Sequence, residues 1–287
     1  MSTTTSFDPD AFKLATRSQW DKAAPGWHAH TPQIRAWLRQ ATDTMLDMAG
    51  VTAGARVLDV AAGAGDQTLD IAARVGPDGH VLATDLSQGI LEFASANASG
   101  AGFGNVETHV ADGESLPVDT ASFDAVVCRL GLMFFPDPLR GLHEMHRALK
   151  PGGGVCTIVF SSPAANPCIG ILLTTAFRHA GLPPRDPYAP GGLLSLGKPG
   201  LIDALFREAG FTGVATTKLD APFRLASARA YLDFVRTSAS PIQQILSRLD
   251  ANAAQAAWAE MEERLRIYET PSGWEGPNEL LLTAARR

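Results

Sequence analysis

The fold is decided by a strand that runs directly into a loop of small residues and then into a helix. This stretch reads Val57-Leu58-Asp59-Val60-Ala61-Ala62-Gly63-Ala64-Gly65-Asp66. Small residues let the backbone approach a ligand closely, and the first turn of the following helix offers free N–H groups. A tight turn without a ligand has the same local pattern. The stretch alone therefore indicates an α/β fold of the nucleotide-binding kind, without naming the ligand.

Short apolar runs alternate with helical patterns after this stretch. Continuous apolar strands separated by helices indicate a parallel sheet covered on both faces. The predicted strands are 56–61, 80–84, 106–111, 123–130, 155–160, 211–219 and 278–285. Helices are predicted to begin near Asp66, Ser87, Ala121 and Asp137, and residues 8–50 form a helical region ahead of the sheet.

Acidic residues follow the second and third predicted strands. Asp85 ends the second strand, where a carboxylate can accept hydrogen bonds from ribose hydroxyls; the alternative is an aspartate that only stabilises the next helix N-terminus. Asp112 and Gly113 follow the third strand, where the carboxylate can accept from an adenine amino group; the alternative is an ordinary Asp-Gly turn. Because the carboxyl ends of parallel strands converge on one crevice, we expect these residues to share a site with the glycine loop.

The composition narrows the partners and the compartment. The chain of 287 residues has a net charge of −6 and no Lys/Arg run, which disfavours a phosphate backbone, so we expect no nucleic acid partner. Cys128, Cys156 and Cys168 fit neither a zinc site nor a disulfide framework, so we expect no metal and a cytoplasmic location. We also expect no signal peptide and no membrane span, and the first seven residues are expected to fray.

The order and spacing of these motifs resemble class I S-adenosylmethionine-dependent methyltransferases, in particular the ubiquinone/menaquinone-biosynthesis methyltransferase-like (methyltransferase type 11) superfamily. The family's glycine motif matches residues 57–65, its acidic strand-two residue matches Asp85, and its adenine motif matches Asp112. Further matches lie at 122–127 and 147–153, and residues 20–27 resemble a segment that folds over the cofactor in many members. One departure is Ala61, which replaces the first motif glycine; we expect it to be tolerated if its φ stays negative.

The resemblance implies a Rossmann-like fold and a cofactor. The expected fold is α/β, with a seven-stranded, mostly parallel, doubly wound sheet, an antiparallel last strand and a helical cap. The expected cofactor is S-adenosyl-L-methionine. Its ribose would be held by Asp85 and its adenine flanked by Leu86, while Lys13, Arg17 or Trp20 would reach the methionine carboxylate. The full set of residues implied to bind it is Asp59, Ala61, Gly63, Gly65, Asp85, Leu86, Asp112, Gly113, Arg129, Leu130 and Trp20.

The acceptor is expected to be a small molecule selected by two segments outside the core, residues 161–197 and 226–276, and by residues at the mouth of the crevice. Trp27 in the lid segment, with Met133 and Phe134 after the fourth strand, are the candidate substrate-binding residues; packing under the cap is the alternative. Because the sulfonium already carries an activated methyl group, a base is needed only if the nucleophile must lose a proton. His28 and His30 are the catalytic candidates for that base, with a solvated or capping histidine as the alternative.

The predicted organisation has five parts: a helical lid (1–50), the cofactor-binding core (51–160), a cap segment with strand six (161–225), a helical cap insertion (226–276) and the final strand (277–287). Two other functions stay open. One is a non-catalytic protein that binds S-adenosylmethionine. The other is an NAD(P)-dependent oxidoreductase, which would place a third glycine where this chain has Thr68. The sequence leaves open the acceptor, the choice among C-, N- and O-methylation, and the oligomeric state, for which a homodimer is one alternative.

Overall fold

A seven-stranded sheet forms the centre of the computed structural model, which describes residues 8–287. The strands are β1 (Arg56–Val60), β2 (His80–Asp85), β3 (Val106–Val110), β4 (Phe123–Arg129), β5 (Leu149–Phe160), β6 (Thr212–Asp220) and β10 (Glu279–Arg286). Their order is β3-β2-β1-β4-β5-β10-β6, and β10 runs antiparallel to both of its neighbours. The predicted Rossmann-like sheet with an antiparallel last strand is therefore confirmed. The first seven residues, expected to fray, lie outside the described part.

Helices lie along the sheet and form a cap beside it. They are α1 (Pro9–Ala29), α2 (Thr31–Ala49), α3 (Asp66–Val75), α4 (Gln88–Gly100), α5 (Pro138–Ala148), α6 (Pro167–His179), α7 (Leu201–Glu208), α8 (Ala228–Ser238), α9 (Ser240–Leu246) and α10 (Ala251–Leu265). Helix α3 contacts both α2 and α4 along β1 to β5, and α5 and α7 contact each other along β4 to β6. The cap consists of α6, α8, α9 and α10, and α1 reaches it through α8 and α9. Among helices of residues 8–287, none is long and apolar enough to cross a membrane.

A second, three-stranded antiparallel sheet supports the cap. It consists of β7 (Phe223–Leu225), β8 (Glu269–Thr270) and β9 (Gly273–Gly276), with β9 in the centre. Trp274 of β9 is fully buried, stacks on Tyr231 at 4.5 Å between ring centroids, and donates its indole N–H to the Leu265 carbonyl at 2.8 Å. The tryptophan thereby joins the small sheet to α8 and α10. The sequence analysis did not predict this sheet, because its strands are only two to four residues long.

The helix predicted near Ala121 is wrong. Residues 111–122 are irregular, and Ala121 has a φ of 55°, which no α-helix contains. Its N–H donates to the Arg147 carbonyl at 2.9 Å. The Arg147 guanidinium in turn donates to the carbonyls of Leu116 and Val118. The backbone groups of this segment therefore bond to an arginine of α5 instead of to one another in helical turns.

The helical region of residues 8–50 divides into two helices with different environments. His30 separates α1 from α2, and its side chain provides no cap hydrogen bond. Helix α2 buries Ile34, Leu38 and Met45 completely against the sheet. Most of α1 is exposed or half-buried. A lid role for the N-terminal region is therefore carried forward as a proposal for α1 alone.

Candidate active site

The loop after β1 has a left-handed backbone at three positions. Ala61, Gly63 and Gly65 have φ values of 56°, 59° and 84°. The expectation that φ of Ala61 stays negative is thus wrong. The Ala62 N–H donates to the Thr84 carbonyl at 2.9 Å, which draws the loop toward the end of β2. A left-handed conformation costs an L-residue about 1–2 kcal/mol, so alanine keeps the glycine conformation here under strain.

Asp85 connects the end of β2 to this loop. One of its carboxylate oxygens accepts from the Gly63 N–H at 3.0 Å, and the other accepts from the Ser87 N–H at 3.0 Å. Loss of hydration raises the pKa of Asp85 above its usual value, and backbone hydrogen bonds from Ser87, Gly63 and Leu86 oppose that rise. A carboxylate has about four acceptor sites, so Asp85 can still accept a hydrogen bond from a ligand hydroxyl. The aspartate is therefore fixed in orientation and still able to bind.

A second carboxylate pair lies at the end of β3. Asp112 accepts from the Glu114 N–H at 2.9 Å, and both carboxylates contact Lys13 of α1, at 2.7 Å for Asp112 and 2.5 Å for Glu114. Partial burial disfavours the charged ammonium and lowers the pKa of Lys13. The hydrogen bonds to Asp112 and Glu114 outweigh this effect, so the pKa of Lys13 lies above its usual value. Gly113 lies against the Phe135 ring, where an added Cβ would come within 2.2 Å of a ring carbon. Glycine is needed at this turn to let the ring pack.

Helix α1 lies across this edge of the sheet and is fixed at both sides of it. Lys13 bonds to the β3 end, as described above. On the other side, Asp21 accepts hydrogen bonds from the Ser87 hydroxyl and the Gly89 N–H at the start of α4. Between these contacts, the Trp20 ring packs edge-on against Trp27 at 5.6 Å and against Phe134 at 5.9 Å. The helix therefore lies over the crevice and contributes side chains to it.

The crevice under α1 is a cavity of about 110 Å³, named here the strand-end cavity. The predicted cofactor residues that line it are Ala61, Gly63, Asp85, Leu86, Asp112, Gly113, Arg129, Leu130 and Trp20. Two predicted residues lie elsewhere. Gly65 allows α3 to approach α4, since an added Cβ would come within 2.8 Å of Ala94. Asp59 is fully buried and does not line the strand-end cavity.

Asp59 belongs to a buried polar network behind the glycine loop. Its carboxylate accepts from the Gln67 amide at 3.1 Å and from the Thr68 hydroxyl at 2.6 Å. Burial raises the pKa of Asp59 to about 7, against the opposing effect of these two hydrogen bonds. Arg129 forms a buried ion pair with Asp66 and donates to Gln67 at 2.7 Å. The network fixes the first turn of α3 to β1 and β4, so Arg129 directs its guanidinium away from the crevice.

Two further cavities adjoin the strand-end cavity. The aromatic cavity, about 100 Å³, is lined by Trp27, Met133 and Phe134, the predicted acceptor residues, with other apolar side chains of the core and cap. The outer cavity, about 880 Å³, lies among α1, α6, α9 and residues 182–194. Trp20 and Phe134 line all three. These two rings therefore mark the place where the three spaces meet.

The two candidate bases do not reach these cavities. The His28 ring stacks on Phe93 with centroids 4.4 Å apart, on the side of α4. The His30 ring bonds to the Thr237 hydroxyl at 3.0 Å and packs edge-on against Phe234. Neither histidine lines the strand-end, aromatic or outer cavity. Within residues 8–287, no group of three His, Cys, Asp or Glu side chains is arranged to hold a metal ion.

The sequence analysis missed several lining residues. Phe12 and Thr16 of α1 line both the strand-end and the outer cavity, and Glu114 and Phe135 line the strand-end cavity. One signal was available: Phe12, Thr16 and Trp20 recur every four residues and so share one helix face. No local pattern indicates that this face lies over the sheet.

Comparison with proteins of known structure shows the same fold over most of the chain. The YcgJ protein of Bacillus subtilis superposes with a TM-score of 0.58 at 20% identity, over 87% of this chain and 98% of that chain. The [4+2]-cyclase SpnF superposes with a TM-score of 0.55 at 21% identity, over 93% of this chain and 96% of that chain. At such identities the likeness shows the fold alone, and one fold carries different chemistries.

Sequence comparison identifies the family. A ubiquinone/menaquinone biosynthesis C-methyltransferase from Hahella chejuensis is 39% identical over 125 residues, which are 43% of this chain and 50% of that protein. The chain thus matches about half the length of the curated relatives that it resembles. The sequence model of the ubiE/COQ5 methyltransferase family matches residues 32–177, which include the glycine loop, Asp85, Asp112 and β4. The chain therefore belongs to the ubiE/COQ5 methyltransferase family.

Proposed function

We propose that this protein is an S-adenosylmethionine-dependent methyltransferase that acts on a small molecule. The observation that carries the proposal is the convergence of the glycine loop, Asp85 and Asp112 on one cavity that adjoins an aromatic cavity. The first cavity would supply polar groups for a nucleoside, and the second would supply apolar and aromatic side chains for an acceptor. Membership of the family supports the same activity.

The residues present fit the cofactor if α1 moves. Asp85 would bind the ribose hydroxyls, Asp112 and Gly113 the adenine edge, and the backbone of Gly63 and Leu130 the methionine portion. The strand-end cavity is small, about 110 Å³, whereas ligand sites usually have roughly 300–1000 Å³. Side chains of α1 line it. We therefore expect α1 to withdraw when the cofactor enters and to close again over it.

For methyl transfer, the protein has to align the acceptor with the cofactor and exclude water from the reacting atoms. The sulfonium cofactor supplies an activated methyl group when bound, and alignment of two reactants can contribute roughly 7–11 kcal/mol. Trp20 and Phe134 line both cavities and would orient the acceptor against the donor. Among the described residues, those that line the aromatic cavity include no carboxylate, histidine or lysine. Tyr231 also lines this cavity, and burial raises the pKa of its hydroxyl, so the hydroxyl stays protonated. We therefore propose transfer by positioning, without a protein base in this cavity.

Isothermal titration with S-adenosylmethionine, S-adenosylhomocysteine and NADH tests the cofactor assignment. We expect saturable binding of the first two compounds and none of NADH. Loss of a charge-assisted hydrogen bond costs about 1.5–3 kcal/mol, so Asp85→Asn should weaken binding about tenfold or more. Asp124→Asn is the matched control, because Asp124 lies at the opposite end of the sheet, paired with Lys150. Binding of NADH, or equal binding by both variants, contradicts the assignment.

The net charge of the chain and the state of its cysteines support proposals about the remaining partners and the cellular compartment. A nucleic acid substrate is not proposed, because the chain has a net charge of −6. Cys128, Cys156 and Cys168 are all unpaired and buried, and burial raises the pKa of each thiol to about 12. Unpaired cysteines are the usual state in a reducing compartment. We therefore propose a cytoplasmic enzyme. The homodimer stays a hypothesis, tested by the mass measured in solution.

A further inference from the structure

The outer cavity has a charge opposite to that of the chain. Within the described part of the chain, its charged lining residues are Arg178, Arg185, Arg248 and Arg264, with Asp186 as the one acidic residue. The chain as a whole has a net charge of −6. Acidic residues outnumber basic ones elsewhere, so this concentration of guanidinium groups is a local feature. It surrounds a space large enough, at about 880 Å³, for a drug-sized molecule.

Three of these arginines have no carboxylate partner within residues 8–287. Arg264 of α10 donates to the hydroxyls of Thr175 and Thr174, at 2.6 and 3.3 Å, so it is oriented by neutral groups and its charge is uncompensated. Arg185 donates to the Pro190 carbonyl at 3.1 Å. Arg248, just beyond α9, forms no ion pair in the described chain. Arg178 differs, because Glu260 neutralises it.

The apolar part of the same cavity leads to the place where the three cavities meet. Leu173 and Phe177 of α6, with Leu182 in the following loop, line it together with Trp20 and Phe134. A molecule in this space would therefore contact apolar side chains along its body and guanidinium groups at its outer side. Guanidinium is a planar donor suited to two-point hydrogen bonding with carboxylate or phosphate.

We propose that the outer cavity binds an acceptor that carries an anionic group, a carboxylate or a phosphate ester, remote from the atom that is methylated. The apolar body lies against Phe177 and Trp20, and the anion is bound by Arg248 and Arg264. The reacting end then enters beside Phe134. This assignment rests on the proposed function for the meaning of the reacting end, but the binding of the anion does not depend on methyl transfer.

The test is calorimetric binding of three naphthalene compounds in the absence of S-adenosylmethionine: 2-naphthoate, 2-naphthyl phosphate and neutral 2-naphthamide. We expect at least one of the anions to bind about tenfold more tightly than the amide. The double variant Arg248→Gln/Arg264→Gln should lose this preference. Arg39→Gln/Arg224→Gln, which removes the same charge from exposed positions outside the cavity, should keep it. The anion that binds more tightly shows whether the cavity prefers a carboxylate or a phosphate ester.

Several results would overturn the proposal. They are equal binding of anions and amide by the unaltered protein, absence of saturable binding, or an equal loss in both double variants. If the Arg264 exchange disturbs folding, Arg248→Gln alone replaces the double variant, because no hydrogen bond of the described fold uses the Arg248 side chain. This single variant should still reduce the preference for anions over the amide about threefold, and an unchanged preference counts against the proposal. Failure here together with intact S-adenosylmethionine binding would leave the proposed function standing, so the two can be distinguished.

Discussion

The packing between the glycine loop and the turn after β4 gives a prediction that can be worked out from distances. Gly131 has an ordinary φ of −104°, so alanine is not excluded by the backbone. An added Cβ would nevertheless lie 2.3 Å from the Cβ of Ala61 and 3.1 Å from the Cys128 sulfur. Overpacking of this kind costs about 1–3 kcal/mol. Gly131→Ala should therefore lower the free energy of unfolding by about 2 kcal/mol.

A second exchange, Ala61→Gly, should rescue the stability of the Gly131→Ala variant. Ala61→Gly removes the nearest clashing atom; the backbone of residue 61 then lies 3.8 Å from the added methyl group, and only the sulfur stays close. The exchange also relieves the left-handed strain of about 1–2 kcal/mol at φ 56°, against about 0.4–1 kcal/mol of added unfolded-state entropy. Urea unfolding of both single variants and the double variant gives a coupling energy. We expect about 1–2 kcal/mol in favour of the double variant. Additive effects within about 0.5 kcal/mol would refute the steric reasoning.

Three other predictions concern residues around the site. Asp59 has a pKa of about 7 in the folded protein and an ordinary pKa of 3.8, so between these pH values it takes up a proton on folding. Its contribution to the free energy of unfolding therefore falls as the pH rises from 4 to 7, and Asp59→Asn should remove about 1 kcal/mol per pH unit of that fall in urea titrations. Equal dependence on pH in the variant and the unaltered protein would contradict this prediction. Arg129→Met leaves a buried carboxylate unpaired and should cost about 3–5 kcal/mol by urea unfolding, whereas Arg224→Met, which breaks an exposed pair, should cost less than about 1 kcal/mol. Gly113→Ala should lower the Tm, and Phe135→Leu in the same chain should restore most of it, since the ring occupies the space of the added methyl group; a Tm unaffected by the first exchange argues against this packing.

The sheet and its strand-end residues could be predicted because each depends on local sequence. The apolar runs specify strands, and a parallel sheet brings Asp85, Asp112 and the loop at Gly63 to one edge regardless of what covers them. In the structure all three line the strand-end cavity. Family resemblance added the cofactor to this geometry, which strand patterns alone leave unnamed.

The parts that failed depend on tertiary contacts. The helix near Ala121 is absent because Arg147, on a different element, binds the backbone of the preceding segment. The left-handed φ of Ala61 follows from the hydrogen bond between the next residue and β2, which no propensity scale contains. His28 and His30 lie at the end of α1 and just beyond it, but their rings contact α4 and α8 and line none of the three cavities. Nearness along the chain was a poor guide to nearness to the site.

Methyl transfer itself is the most direct test of the central claim. The protein is incubated with S-adenosylmethionine labelled with tritium in the methyl group and with a small-molecule extract of its own host cells, and the label is then followed by chromatography. We predict label in one or more small molecules, with equimolar S-adenosylhomocysteine, and at least a tenfold loss in Asp85→Asn at limiting cofactor. Saturable cofactor binding with no transfer of label would contradict the account and identify a binding protein instead of an enzyme.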